Sequence, residues 1–203
     1  MKITSTGALW AAGLALLLSA CTTGSTPNPS STSSTHGQPP SVSPSATPTT
    51  TSPEELAAAR AEEVLRAYYR AWSSCTLDPP NAPITCYDNV AIATALNDRR
   101  NALTSAKAMQ TRTTGDITPV SVTRTRVDLT NKVNETPPTV PKVVFRVCVD
   151  VSAFNILDKD GKSLVPADRK PRSVAEVSVL NYKYPDPVQW RVGLSTVVKD
   201  ATC

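Results

Sequence analysis

The residues best able to do chemistry in this sequence are five cysteines, one histidine and a few carboxylates. Nucleophilic catalysis by serine or cysteine needs a positioned base, most often a histidine. The one histidine, His36, lies in a run of Ser, Thr and Pro, where a solvated linker side chain is the plain reading. Cys75, Cys86, Cys148 and Cys203 contain no Cys-x-x-Cys pair and have no histidine near them, so they do not read as a metal site. Asp128, Asp150 and Glu176 could do paired-carboxylate acid–base work. They lie among Arg124, Arg126, Arg146 and Arg191, however, and a solvated sheet face with cross-strand ion pairs accounts for them better. The glycines form no phosphate-binding loop.

Cys21 has a different setting. "MKITSTGALWAAGLALLLSA" has the order of a secretory signal: Lys2, an apolar run from about Ala8 to Leu18, then small residues at Ser19 and Ala20. The apolar run is too short to span ~30 Å of hydrocarbon as a helix. Leu18-Ser19-Ala20-Cys21 resembles a bacterial lipobox. That resemblance implies cleavage between Ala20 and Cys21, with diacylglycerol on the Cys21 sulfur and a further acyl group such as palmitate. No other cofactor is expected. Several acyl chains give the multiple anchors that stable membrane attachment requires. The expected location is the outer face of the cytoplasmic membrane.

Residues 21–52 read as a tether. Beyond Cys21 this stretch has no Asp, Glu, Lys, Arg or aromatic residue and is dominated by Ser, Thr and Pro. It cannot bury enough apolar area to offset its ordering entropy, and as a coil it spans ~30 Å. An O-glycosylated stalk is a second reading of the same composition.

Residues 53–203 are of single-domain size. The chain carries a net charge of +4 with both signs interspersed and no basic run, which argues against a nucleic-acid partner. In an exported chain, the four cysteines beyond Cys21 read as two disulfides with three pairings open. Cys75 and Cys86 bracket "TLDPPNAPIT", a proline-rich loop across which pairing is geometrically easy. Cys148 and Cys203 would then form the second bridge.

"SPEELAAARAEEVLRAYYRAW" predicts a helix of about twenty residues, opened by a capping box of Ser52 and Glu55 with Pro53 in the first turn. Val64, Ala67, Tyr68, Ala71 and Trp72 share one face. A second helical pattern runs from about Tyr87 to Arg112, and its polar middle, "NDRRN", predicts a break into two helices. Four strands follow, "VSVTRTRVDLT", "KVVFRVCVDVSAF", "SVAEVSVLNYKY" and "VQWRVGLSTVV". In the second, Phe145, Val147, Val149 and Val151 alternate with Arg146, Cys148 and Asp150, giving one core face and one wet face. Helices first and strands after predict an α+β fold, with N-terminal helices packed on an antiparallel sheet of at least four strands.

Lipobox, Ser/Thr/Pro stalk, a helix ending "AYYRAW", strands including "CVDVS" and a last "QWRV" strand before a terminal cysteine resemble small exported lipoproteins of actinobacteria and their phages. Their domains are similar to the cystatin-like cone of the nuclear-transport-factor-two (SnoaL-like) superfamily. The resemblance implies a curved sheet around a long helix, an apolar pocket, and a Cys148–Cys203 bridge. Enzymes of that superfamily place an Asp or a His-Asp pair inside the cone, and this sequence departs from that pattern.

The aromatics carry the binding hypothesis. Tyr68, Tyr69, Trp72 and Trp190 could line the mouth of a pocket and offer apolar walls and phenolic hydroxyls to a lipid or glycan. Against this, each ring taken singly is better read as core. The polar sheet face could serve an envelope protein partner instead. The expected function is a lipid-anchored, non-catalytic binding or accessory module. Two alternatives stand beside it: a phage- or prophage-encoded surface lipoprotein that excludes further infection, and a pocket enzyme of isomerase or hydrolase type.

Overall fold

The computed structural model describes residues 51–203. The leader, Ala20 and Cys21, His36 and the tether up to residue 50 lie outside the described residues. No helix among the described residues is long and apolar enough to cross a membrane.

Helix α1 spans Pro53–Leu77. Its start is the predicted capping arrangement, since the Ser52 hydroxyl accepts from the Glu55 backbone N–H at 3.2 Å. Glu54 and Glu55 complement the positive end of the helix dipole. The helix stops where Asp78-Pro79-Pro80 can no longer supply backbone donors. Its outer face carries the Arg60–Glu63 and Glu62–Arg66 pairs at helical spacing. The buried face is centred on Ala61, Leu65, Tyr68 and Tyr69, with Val64, Ala71 and Trp72 at its margin. It is therefore rotated from the face that the sequence periodicity suggests.

Helix α2 spans Ala93–Met109 and is continuous. The expected break at "NDRRN" is absent because both central arginines fold onto partners beside the helix. Arg99 lies over the Trp72 ring, and Arg100 Nη2 donates to both Asp88 carboxylate oxygens at 2.7 Å. The helix starts at Ala93 rather than near Tyr87, and no side chain caps it. Instead the chain just before it is tied to the last strand, with Ile92 N–H donating to the Val192 carbonyl and Val192 N–H to that of Val90. Gln110, in the left-handed region at φ 53°, closes the C-terminus by donating to Lys107 O.

The strands are β1 (Arg112–Thr114), β2 (Thr118–Asp128), β3 (Lys142–Asp150), β4 (Asn155–Leu157), β5 (Arg172–Leu180) and β6 (Arg191–Val197). The main sheet is an antiparallel meander in the order β2-β3-β5-β6, and β1 and β4 form a separate antiparallel pair. The fold is thus α+β, with two helices packed on antiparallel sheets. Val143, Phe145, Val147 and Val149 of β3 are buried in the core with Ala175, Val177 and Val179 of β5 and Val192 of β6. The shared face of Phe145, Val147 and Val149 is that read from the sequence, but Val151 lies beyond the strand, and Cys148, expected on the wet face, is buried. At "DKDGK" the chain makes a turn in which Asp158 Oδ1 accepts from the Asp160 and Lys162 backbone N–H groups and Gly161 takes φ +84°. It follows the short β4, however, and does not join two strands of the main sheet.

Between β1 and β2 the chain turns at Gly115, φ +70°, where a Cβ would overlap the Ala153 carbonyl oxygen. Only glycine meets both demands. The bridges join Cys75 to Cys86 and Cys148 to Cys203, with Cα separations of 6.2 and 5.9 Å. Core and both bridges all lie within residues 57–203, so this unit has its own hydrophobic interior.

Candidate functional site

The four candidate aromatics part company. Tyr68, Tyr69 and Trp190 are each 1% exposed and belong to the core. Tyr68 and Tyr69 meet edge to face at 5.6 Å, and Tyr69 stacks on Trp72 with centroids 6.3 Å apart. Trp190 packs edge-on against Tyr184 at 6.4 Å, at the N-terminal end of α1 beside Pro53 and Ala57. The four rings therefore do not share one pocket mouth. Trp72, the one of them that is half-buried, borders a cavity of about 410 Å³, and the buried Trp190 edges a separate one at the start of α1.

That cavity lies between the end of α1, the outer side of α2 and the β1–β4 pair. Trp72 and Thr76 come from α1, Arg99, Ala102 and Met109 from α2, Arg112 and Thr113 from β1, and Phe154, Ile156 and Leu164 from β4 and its flanks. Met109 is 61% exposed and Leu164 52%, so the rim is apolar as well as the walls. Two of the hydroxyls in its lining are already engaged. Thr113 Oγ1 donates to Thr76 Oγ1 at 2.9 Å, and Thr76 Oγ1 donates to the Trp72 carbonyl at 2.8 Å. What remains polar is the Ser105 and Thr111 hydroxyls and two cations: Arg99, whose guanidinium carbon sits 3.6 Å from the Trp72 ring centroid, and Arg112. A guanidinium at that distance over an indole is held by a cation–π attraction.

The strand carboxylates lie elsewhere. Asp150, opposite Arg172 in the register, takes an ion pair from Arg172 Nε at 3.3 Å rather than from Arg146. Hydrogen bonds from Ser152, helped by Arg172, hold its carboxyl below the ordinary range. Hydrogen bonds from Thr130 do the same at Asp128, with smaller help from Lys142 and Arg126. Glu176 is exposed on the outer sheet face opposite Arg146. Arg124 pairs with Glu55 of α1 at 2.7 Å and not with a neighbouring strand. None of these acids lines the cavity at Trp72, whose lining includes no carboxylate. Among the described residues no cluster of His, Cys, Asp or Glu is placed to hold a metal ion.

Burial acts strongly on the phenols. It raises Tyr68 and Tyr69 above their ordinary value and pushes Tyr87 up to about 12. An unfolded chain ionises these groups near pH ~10, so between ~10 and ~12 the folded state holds more protons. Their contribution to stability is complete below pH ~10 and is lost as pH rises toward the folded values. On alkaline titration, tyrosinate absorbance at 295 nm from these three residues should rise together with loss of the far-UV circular dichroism. A signal accounting for all five tyrosines while the helices remain intact would contradict their burial.

No protein-family model matches this sequence, and no curated protein matches it. Among solved structures, the intermembrane space region of the chloroplast protein ARC6 is similar over 70% of this chain and 95% of that one, at 14% identity and a TM-score of 0.46, a likeness that assigns neither family nor function.

Proposed function

We propose that this chain is a lipid-anchored envelope lipoprotein whose 53–203 domain, of the nuclear-transport-factor-two-like kind, is a non-catalytic binding module. Acyl chains on Cys21 hold it at the outer face of the cytoplasmic membrane, and the tether carries the domain away from the surface. One observation carries the binding reading: an open cavity of about 410 Å³ with apolar walls and rim. Small-molecule sites are concave, mostly apolar and furnished with a few polar groups, and this one falls in their size range. The non-catalytic reading is supported by the same lining, which offers no carboxylate, histidine or free thiol for proton transfer or attack. Asp150, the strand carboxylate nearest to the pattern of a pocket acid, is ion-paired and held in its charged form.

The test has two arms. Radiolabelled palmitate should enter the full chain and fail to enter its Cys21→Ser variant; label in that variant would remove the anchor. The chain from Thr22 to Cys203, exported so that both disulfides form, should bind the neutral apolar dye N-phenyl-1-naphthylamine saturably. An Ala102→Trp substitution places an indole in the cavity from an exposed helix position and should abolish binding while leaving the circular dichroism unchanged. Absence of saturable binding, or binding that survives Ala102→Trp in the folded variant, would remove the module.

A further inference from the structure

The charged groups that line this cavity carry one sign. Arg99 and Arg112 both line it, and neither forms an ion pair with a carboxylate among the described residues. The next residue differs in its charge pairing, since Arg100 Nη2 is ion-paired with Asp88, although its Nε is likewise buried without a partner. Arg99 has one face of its guanidinium covered by Trp72, and its Nε is buried with no hydrogen-bond partner among the described residues. A buried donor left unpaired is costly, and a charged one more so. The Thr113 and Thr76 hydroxyls of the same lining are spent on each other and on the Trp72 carbonyl.

From this we infer that the cavity takes an amphipathic anion: an apolar chain with a carboxylate or phosphate-type head, the head on Arg99 and Arg112 and the chain against Phe154, Met109 and Leu164. The inference rests on the reading of the domain as a binding module. Arginine matches such heads by forked, charge-assisted hydrogen bonds. Stacking on Trp72 fixes the plane of that fork before the ligand arrives, so less freedom is lost on binding. A neutral sugar would need several uncharged donors and acceptors, and of the lining hydroxyls only those of Ser105 and Thr111 are not already spent. An amine would face two uncompensated cations. Charge complementarity thus selects the anion, and the apolar rim selects one that carries a hydrocarbon body.

The experiment compares three ligands with one tail and different heads on the 22–203 chain: decanoate, decanol and decylamine, each below its micelle concentration and measured by calorimetry. Decanoate should bind about tenfold or more tightly than decanol, as a charge-assisted head contact implies, and decylamine should be weakest. Arg99→Gln and Arg112→Gln should each shrink the preference for decanoate, and their combination should remove it. If Arg99→Gln fails to fold, Arg112→Gln and a salt series on the unaltered chain decide the matter, because the decanoate preference must narrow as ionic strength rises. Equal affinity for all three heads, or a preference unmoved by salt and by Arg112→Gln, overturns the anion inference and leaves the binding module standing. Failure of all three to bind overturns both.

Discussion

Trp190→Ala should lower the unfolding free energy by about 4 kcal/mol, as large-to-small changes at buried aromatics do. The indole is almost wholly buried beneath the start of α1 and against Tyr184, one residue ahead of β6. Its loss opens a hole that backbone on three sides cannot close, because Pro53 and Ala57 belong to a capped helix and Val192 to a paired strand. Trp72→Ala should cost no more than about half as much, since that ring is only half-buried and gives up less packing than Trp190, which is 1% exposed. Urea denaturation of the two variants under identical conditions measures the difference. A loss at Trp72 equal to or above that at Trp190 would mean that Trp72 is a core residue and that the cavity is not a site. Because a domain of this size has only ~5–15 kcal/mol in hand, Trp190→Ala should also be visible as reduced yield of exported protein.

The contrast between the two tryptophans shows what the sequence could and could not reveal. Strands are legible where one face is apolar throughout: in "KVVFRVCVD" the Phe145, Val147 and Val149 core face follows from their spacing, although Val144 and Cys148 on the other face are buried too. The α1 start is legible because a capping box is a local device complete within four residues. The walls of the cavity are not legible. Strands β1 and β4 are three residues each and show no apolar period. They exist because their backbones pair across forty residues of intervening chain. Phe154 reads as the end of a long strand, yet the strand stops at Asp150 and a turn carries Phe154 into the core beside the cavity. Arg99 reads as part of a polar break in a helix, when its role depends on Trp72, 27 positions earlier. Tyr69 shares one helical stripe with Ala61, Leu65 and Tyr68, at spacings of four, seven and eight, and a reading centred on Val64, Ala67 and Ala71 passes it by. Local signals report what each segment prefers, and the site is made of pairings between segments.

Removing the Cys148–Cys203 bridge, by Cys148→Ala with Cys203→Ala, should cost about 4 kcal/mol, more than loss of the Cys75–Cys86 bridge at about 3 kcal/mol. The order follows from the lengths of chain closed, 55 residues against 11, because cross-linking removes more freedom from an unfolded chain when the loop is longer. The two bridges also differ in what they hold. Cys75–Cys86 ties the end of α1 to the proline-rich loop that leads to α2, where backbone hydrogen bonds such as Cys86 N–H to Pro83 O already order the chain. Cys148 lies on β3 on the side of the sheet away from the Phe145 and Val147 face, and it pins the last residue of the chain there. Beyond β6 the tail has few other ties, chiefly Val198 N–H to the Val174 carbonyl and Ala201 N–H to that of Val198. Loss of the bridge should therefore raise hydrogen exchange first in residues 198–203 and only later in β3 and β5, which keep their ladder. Denaturation of the two double variants, with exchange mapped on the first, tests both statements. If loss of the short bridge costs more than loss of the long one, chain entropy does not set the order. The Cys75–Cys86 link would then be holding the α1 end and the cavity wall beside it by native contacts rather than by limiting the unfolded chain.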